Sequence, residues 1–237
     1  MKLSPKLLAA IAVFAVFTFT ILVNSRANSV NAIQSPIIPG SLEALAQDAV
    51  ERTLQSVTIP TAMWSYAGVT GIDEATTAYS VVVAHPVSRK SYVWNSEFQI
   101  IGSWYKFAIT ENLSQRPFST CTTCPASPAP PSDLLPLGSN ELLVPKFGGS
   151  VVVNGVNISS VDETFPEYEM SRSYLLFLKV DTSKRVGLTA LGPASVFTVS
   201  SAGALATVAE GSDNSLAQDL SNRYGNSLTA LRAALKP

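Results

Sequence analysis

The sequence has a single histidine, two cysteines and no basic run longer than the pairs Arg89-Lys90 and Lys184-Arg185. Each scarcity closes off a class of chemistry. One histidine, His85, must serve any Ser/His/Asp triad or imidazole-based metal site, and neither a G-x-S-x-G nor an H-E-x-x-H surrounds it. A strand-end histidine followed by Pro86 is expected to be a surface or hydrogen-bonded residue, with an unrecognised hydrolase centred on it as the competing reading. The lack of concentrated positive charge argues against nucleic acid as a partner, because phosphate binding needs a basic surface. Charged residues make up only 14% of the chain. No cofactor and no resident metal is expected.

What is abundant comes first in the chain. After MKLSPK, residues 7–23 run LLAAIAVFAVFTFTILV without a charge. As a helix that run spans roughly 26 Å at about 1.5 Å per residue, close to a hydrocarbon core of about 30 Å. Lys2 and Lys6 precede it and Arg26 follows, so the charge bias keeps the N-terminus inside and sends the remainder out. Ser25-Arg26-Ala27 and Val30-Asn31-Ala32 offer small-x-small cleavage sites. Residues 1–32 are therefore expected to be a signal peptide or a membrane anchor. Both readings place the body outside the cytoplasm: periplasmic, secreted, or held at the membrane by residues 7–23. Removing residues 1–32 leaves a net charge of about −4 and a length suited to one domain.

Low charge with many Val, Thr, Ser, Gly and Pro in that body points to a mainly β fold. The reading is a small antiparallel barrel or a sandwich, with a short helix before it and another after it. Residues 33–77 form the helix and lead-in, 78–209 the β-domain, 210–237 the C-terminal helix. Ser41 can cap SLEALAQDAVERTLQ, whose Leu42, Leu45, Ala46, Ala49 and Val50 share one face. AYSVVVAH (78–85) is a compact apolar strand. KSYVWNSEFQII (90–101) and SWYKFAIT (103–110) flank Gly102 and can pair, with Tyr105, Phe107 and Ile109 on one face. Pro145 pushes strand 141–147 towards an edge. Asn154-Gly155 predicts the turn of a hairpin within 150–158. RSYLLFLKV (172–180) is apolar as a strand buried on both faces is, and Asp181 to Lys184 turn the chain. A strand at 195–200 follows the Gly192-Pro193 break. The terminal helix carries Leu216, Leu220, Tyr224, Leu228, Leu231 and Leu235 at helical steps, weakened at Gly225.

The cysteines Cys121 and Cys124 form a C-x-x-C in the Pro-rich loop 111–140. Three readings stand: a local disulfide, a redox pair and part of a metal site. A redox pair gains its low-pKa thiolate from a helix N-terminus, and prolines 125, 128, 130 and 131 oppose a helix there. Zinc has only Cys121, Cys124 and His85 as soft or imidazole donors, one short of a closed site. A disulfide persists outside the cytoplasm and in so small a ring contributes about 2 kcal/mol.

Other candidates are weaker. Ser103 and Lys106 spell S-x-x-K, Ser212-Asp213-Asn214 spells S-D-N, and Lys146-Phe-Gly148 approximates K-T-G, but the order is scrambled. Ser103 and Lys106 also fall on opposite faces of a strand. Asp162, Glu163, Glu167 and Glu169 could hold calcium yet lack its loop spacing, and read as a solvated acidic loop. Trp64, Trp94 and Trp104 could stack on carbohydrate or serve as core.

The segments RSYLLFLKV, DTSKR and ALGPASVFTV, with Gly148-Gly149 before them, resemble a scattered set of exported bacterial proteins across residues 78–200. These share a Y-L-L-F-L strand and a G-P-x-x-x-F-x-V close. The plan is also similar to netrin-like and metalloproteinase-inhibitor modules, which are barrels of the OB type. The resemblance implies a closed or nearly closed barrel. Those inhibitors bind their target's metal with an N-terminal cysteine; none lies near Ala27 or Ala32, so that activity does not transfer. The function expected is a non-catalytic interaction or structural module of the cell envelope. The alternative is an extracytoplasmic thiol–disulfide protein using Cys121 and Cys124.

Overall fold

The structure is a computed structural model, and it describes residues 37–61, 66–114, 129–209 and 214–235. The chain divides into two units, Met1–Ile38 and Pro39–Pro237; the elements below belong to the second. Among the described residues no helix is long and apolar enough to cross a membrane. Residues 7–23 lie outside that set.

The first helix, α1 (Leu42–Glu51), starts where Ser41 Oγ accepts from the Ala44 amide at 3.2 Å. It buries Leu42, Ala46 and Ala49, the face the spacing predicted. It stops earlier than expected because Thr53 takes a left-handed φ of 57° and turns the chain out. Two elements then follow that periodicity did not reveal: β1 (Ser56–Pro60) and α2 (Ile72–Ala78).

The centre of the fold is a long hairpin, β2 (Ser80–Asn95) and β3 (Ile100–Asn112). The expected strands 78–85 and 90–101 are not separate. They are one strand, bent by register shifts at Val83/Ala84, Pro86/Ser88 and Val93/Asn95. Gly102, expected between two strands, lies inside β3 opposite Tyr92, and the turn falls at residues 96–99. The break is absorbed by bulges, which bend and twist a strand without ending it. Pro86 interrupts nothing, because the neighbour on its other side pairs only as far as Ala84.

That neighbour is β7 (Ser173–Asp181). With β4 (Glu141–Phe147), β8 (Val186–Leu188), β9 (Val196–Val199) and β10 (Leu205–Thr207) it completes a seven-stranded sheet, ordered β10-β9-β7-β2-β3-β4-β8. β8 also pairs with β7, so β2, β3, β4, β8 and β7 form a closed ring. Every pairing in the ring is antiparallel except β4 with β8, joined at Leu143 and Val186. Pro145 is accommodated because the ladder between β4 and β8 is confined to Leu143 and Val186, leaving Pro145 paired only with β3, opposite Trp104.

Alternation along the strands sorts the core. Val82, Ala84, Tyr105, Phe107, Leu142, Val144, Leu176 and Leu178 pack together inside the ring. Their neighbours Val81, Val83, Leu175 and Phe177 face out, under α2, α3 (Ser215–Tyr224) and α4 (Leu228–Leu235). Hence β7 is apolar on both faces, as its unbroken run predicted. The single expected C-terminal helix is two. Gly225 adopts a left-handed φ of 57° and caps α3, and Ser227 starts α4. A side chain from α3 also caps α2: Asp219 Oδ2 accepts from the Ile72 amide at 2.8 Å.

A second, three-stranded sheet stands apart, ordered β1, β6 (Val156–Val161), β5 (Gly149–Val153). Asn154 (φ 48°) and Gly155 (φ 82°) form the predicted hairpin turn of β5 and β6. Ile59, Val156 and Ile158 of this sheet pack on α1 together with Ile101 of β3.

Candidate functional site

One end of the ring turns polar. The β2–β3–β4 register stacks Arg89, Tyr105 and Val144 in one layer, then Ser91, Ser103 and Lys146 in the next. The two scrambled motif residues Ser103 and Lys146 are thus cross-strand neighbours, brought together by register rather than by sequence spacing. Lys106 points elsewhere, 3.8 Å from Glu141, as opposite strand faces require.

Ser103 is buried and donates to the Gly148 carbonyl at 2.8 Å; its oxygen lies 2.9 Å from Ser91 Oγ and 3.4 Å from Arg89 Nε. Ser91 Oγ accepts from the Ser150 amide at 3.2 Å. These bonds clamp the Gly148-Gly149 corner, where the chain leaves β4 for β5. Both glycines have positive φ, 90° and 138°. A Cβ on Gly149 would lie 2.4 Å from Ser91 Oγ and 2.5 Å from Ser103 Oγ.

Residues 162–172 cross this end of the ring. Phe165 and Tyr168 plug it, the Tyr168 ring standing edge-on to Tyr105 at 4.9 Å and to Phe107 at 5.0 Å. The acidic cluster explains how the plug is held. Asp162 Oδ1 accepts from the Thr164 amide and hydroxyl and from the Phe165 amide. Glu167 makes a two-pronged bond to Arg89, and Glu169 pairs with Arg172 at 2.8 Å. No group of three His, Cys, Asp or Glu residues suited to a metal ion occurs among the described residues.

Between the corner and the plug segment opens a cleft of about 610 Å³, lined by Arg89, Lys146, Gly148, Gly149, Ser150, Ser159, Ser160, Asp162, Glu163 and Glu167. Lys146 is 5% exposed. Its ammonium donates to the Phe147 carbonyl at 3.1 Å and lies 4.9 Å from the centre of the Phe165 ring. Burial holds its pKa below the ordinary lysine range; Asp162 and Glu167 pull it back up and Arg89 pushes it down. Tyr66 is pushed up to about 12, first by burial and then by Asp162. Burial also raises Tyr105, Tyr168 and Tyr174. The hydroxyls of Tyr105 and Tyr168 are buried without a hydrogen bond of normal geometry, although Tyr105 lies near the Tyr168 main chain.

The other sequence candidates fall away from this cleft. His85 is half-buried on β2 opposite Ala108, and among the described residues no carboxylate pairs with it. Trp104 is 1% exposed, in a cluster with Leu134 and Leu143, so it is core rather than a stacking platform. Trp94 packs edge-on against Trp104 and Phe147. Cys121, Cys124, Trp64, Ser212 and Asp213 lie outside the described residues. Asn214 serves as the N-cap of α3, its Oδ1 accepting from the Ala217 amide at 3.0 Å. Sequence reasoning passed over Arg89 and treated Lys146 only as a motif fragment. The available signal was a lysine on the inward phase of a strand, two residues beyond Val144.

No protein-family model, curated protein or solved structure matches this chain at a significant level.

Proposed function

We propose that this chain is an exported, non-catalytic binding module of the cell envelope that holds its ligand or partner in the Lys146 cleft. The observation that carries this reading is the buried Lys146 ammonium at a cleft of about 610 Å³, a size within the range of small-ligand sites. Taken in chain order, the five ring strands close as first, second, third, fifth, fourth, with only the third and fifth parallel. That connectivity is the one an OB-type barrel uses, and it supports assigning the domain to that architecture, which serves mainly in recognition. The uncharged run 7–23 supports export, and Cys121 and Cys124 then form a local disulfide that staples the proline-rich loop.

Labelling of intact cells with a membrane-impermeant maleimide tests the placement. The expected result is labelling of Cys121 and Cys124 only after a reductant is added, without prior lysis. Labelling that requires lysis, or that proceeds without reductant, overturns it.

A further inference from the structure

Building on the assignment of the cleft as a binding site, we propose that it takes a small zwitterion, an amino acid or short peptide, with its carboxylate on Lys146 and its ammonium facing Asp162 and Glu163. Lys146 carries three N–H donors and spends one, on the Phe147 carbonyl. Among the described residues no carboxylate lies within ion-pair distance of it. Lys146 is 5% exposed and makes no close ion pair among them, so keeping it charged is costly, and an incoming carboxylate would relieve that cost. The low-lying pKa of Lys146, set by burial, agrees with the missing partner.

The acidic side is equally open. Glu167 is committed to Arg89. Asp162 receives its three protein donors on Oδ1, which leaves Oδ2 free, and the exposed Glu163 carboxylate has no protein donor among the described residues. A dianion such as phosphate would face three carboxylates, and a simple cation would face Lys146 and Arg89. A ligand carrying one charge of each sign meets both sides without that repulsion. Gly148 and Gly149 line the same cleft beside Lys146.

The test is calorimetric titration of the full-length chain in detergent micelles with glycylglycine, acetate, ethylamine, inorganic phosphate and N-acetylglucosamine in turn. Glycylglycine is expected to bind at least about tenfold more tightly than each of the others. Lys146→Gln and the surface variant Glu163→Gln are each expected to weaken it about tenfold, with the thermal unfolding transition retained. Phosphate or N-acetylglucosamine binding as tightly as glycylglycine overturns the assignment, and so does unchanged affinity in Glu163→Gln. If no probe binds, the zwitterion assignment falls. The envelope placement is judged separately, by the maleimide experiment.

Discussion

The indole of Trp94 covers Gly102: a methyl group at residue 102 would lie 2.1 Å from Trp94 Cε2. The glycine in mid-strand is therefore a seat for the ring, which also packs edge-on against Phe147 at 4.8 Å. Glycine weakens a strand by itself, and here an aromatic side chain covers the gap. Gly102→Ala is expected to cost about 1–3 kcal/mol in chemical denaturation through overpacking. Pairing it with Trp94→Ala should cost less than the sum of the two single changes, because the clash is then gone.

Gly149→Ala meets both a steric and a backbone obstacle. Its φ of 138° disfavours a side chain, and the new methyl would meet Ser91 and Ser103. A loss of about 1–3 kcal/mol is expected in urea titration. Gly155→Ala, in open space at the hairpin turn, should cost less, about 1 kcal/mol for its positive φ alone.

Lys146 makes a pH-dependent contribution of a defined sign. Its folded pKa lies below its unfolded value, so between the two the unfolded chain binds more protons and native stability rises with pH. Lys146→Met removes the buried charge and keeps a flexible apolar stem beside Phe165. The variant should be more stable than the parent by about 1 kcal/mol at neutral pH. The gap should narrow as pH climbs through the folded pKa of Lys146, as measured by thermal melts across an alkaline series.

Asp219 ties α3 to α2 by capping the Ile72 amide at 2.8 Å, and its helix neighbour Arg223 adds an ion pair to Asp73 of α2 at 2.9 Å. Asp219→Ala should cost about 1 kcal/mol, the usual value of a lost N-cap. Asp219→Asn should recover most of it, since an amide oxygen can accept the same bond. Hydrogen exchange at the first amides of α2 reports the cap directly.

Local chemistry was readable from the sequence where one residue decides the outcome. Ser41 announced the start of α1, Asn154-Gly155 the hairpin turn, and the run from Tyr174 to Leu178 a strand covered on both sides. Gly225 was read as a weak point within a helix, but its left-handed cap ends one. The errors lie where tertiary pairing overrides local punctuation. Gly102 and Pro86 look like breaks, yet β2 and β3 run through them because the partner strand and the Trp94 ring supply what they lack. The cleft was illegible for a related reason. Arg89, Ser103, Lys146 and Glu167 are scattered over 78 positions, and only the β2–β3–β4 register and the Arg89–Glu167 pair gather them. The acidic cluster was read as a solvated loop; the exposure of Glu163, Glu167 and Glu169 fits, while the bonds of Asp162, Glu167 and Glu169 show a segment fastened down.

The β2–β3 hairpin spends its first half in the closed ring and, through Ile101, its second half in the packing of the other sheet against α1. It works as a shared beam rather than a hinge. Strain applied at one sheet meets the other through the same two strands. Both rims of the Lys146 cleft hang from this beam, Lys146 through its pairing with Ser103 and Glu167 through its bond to Arg89, so the span between opposite charges there follows the register of two strands.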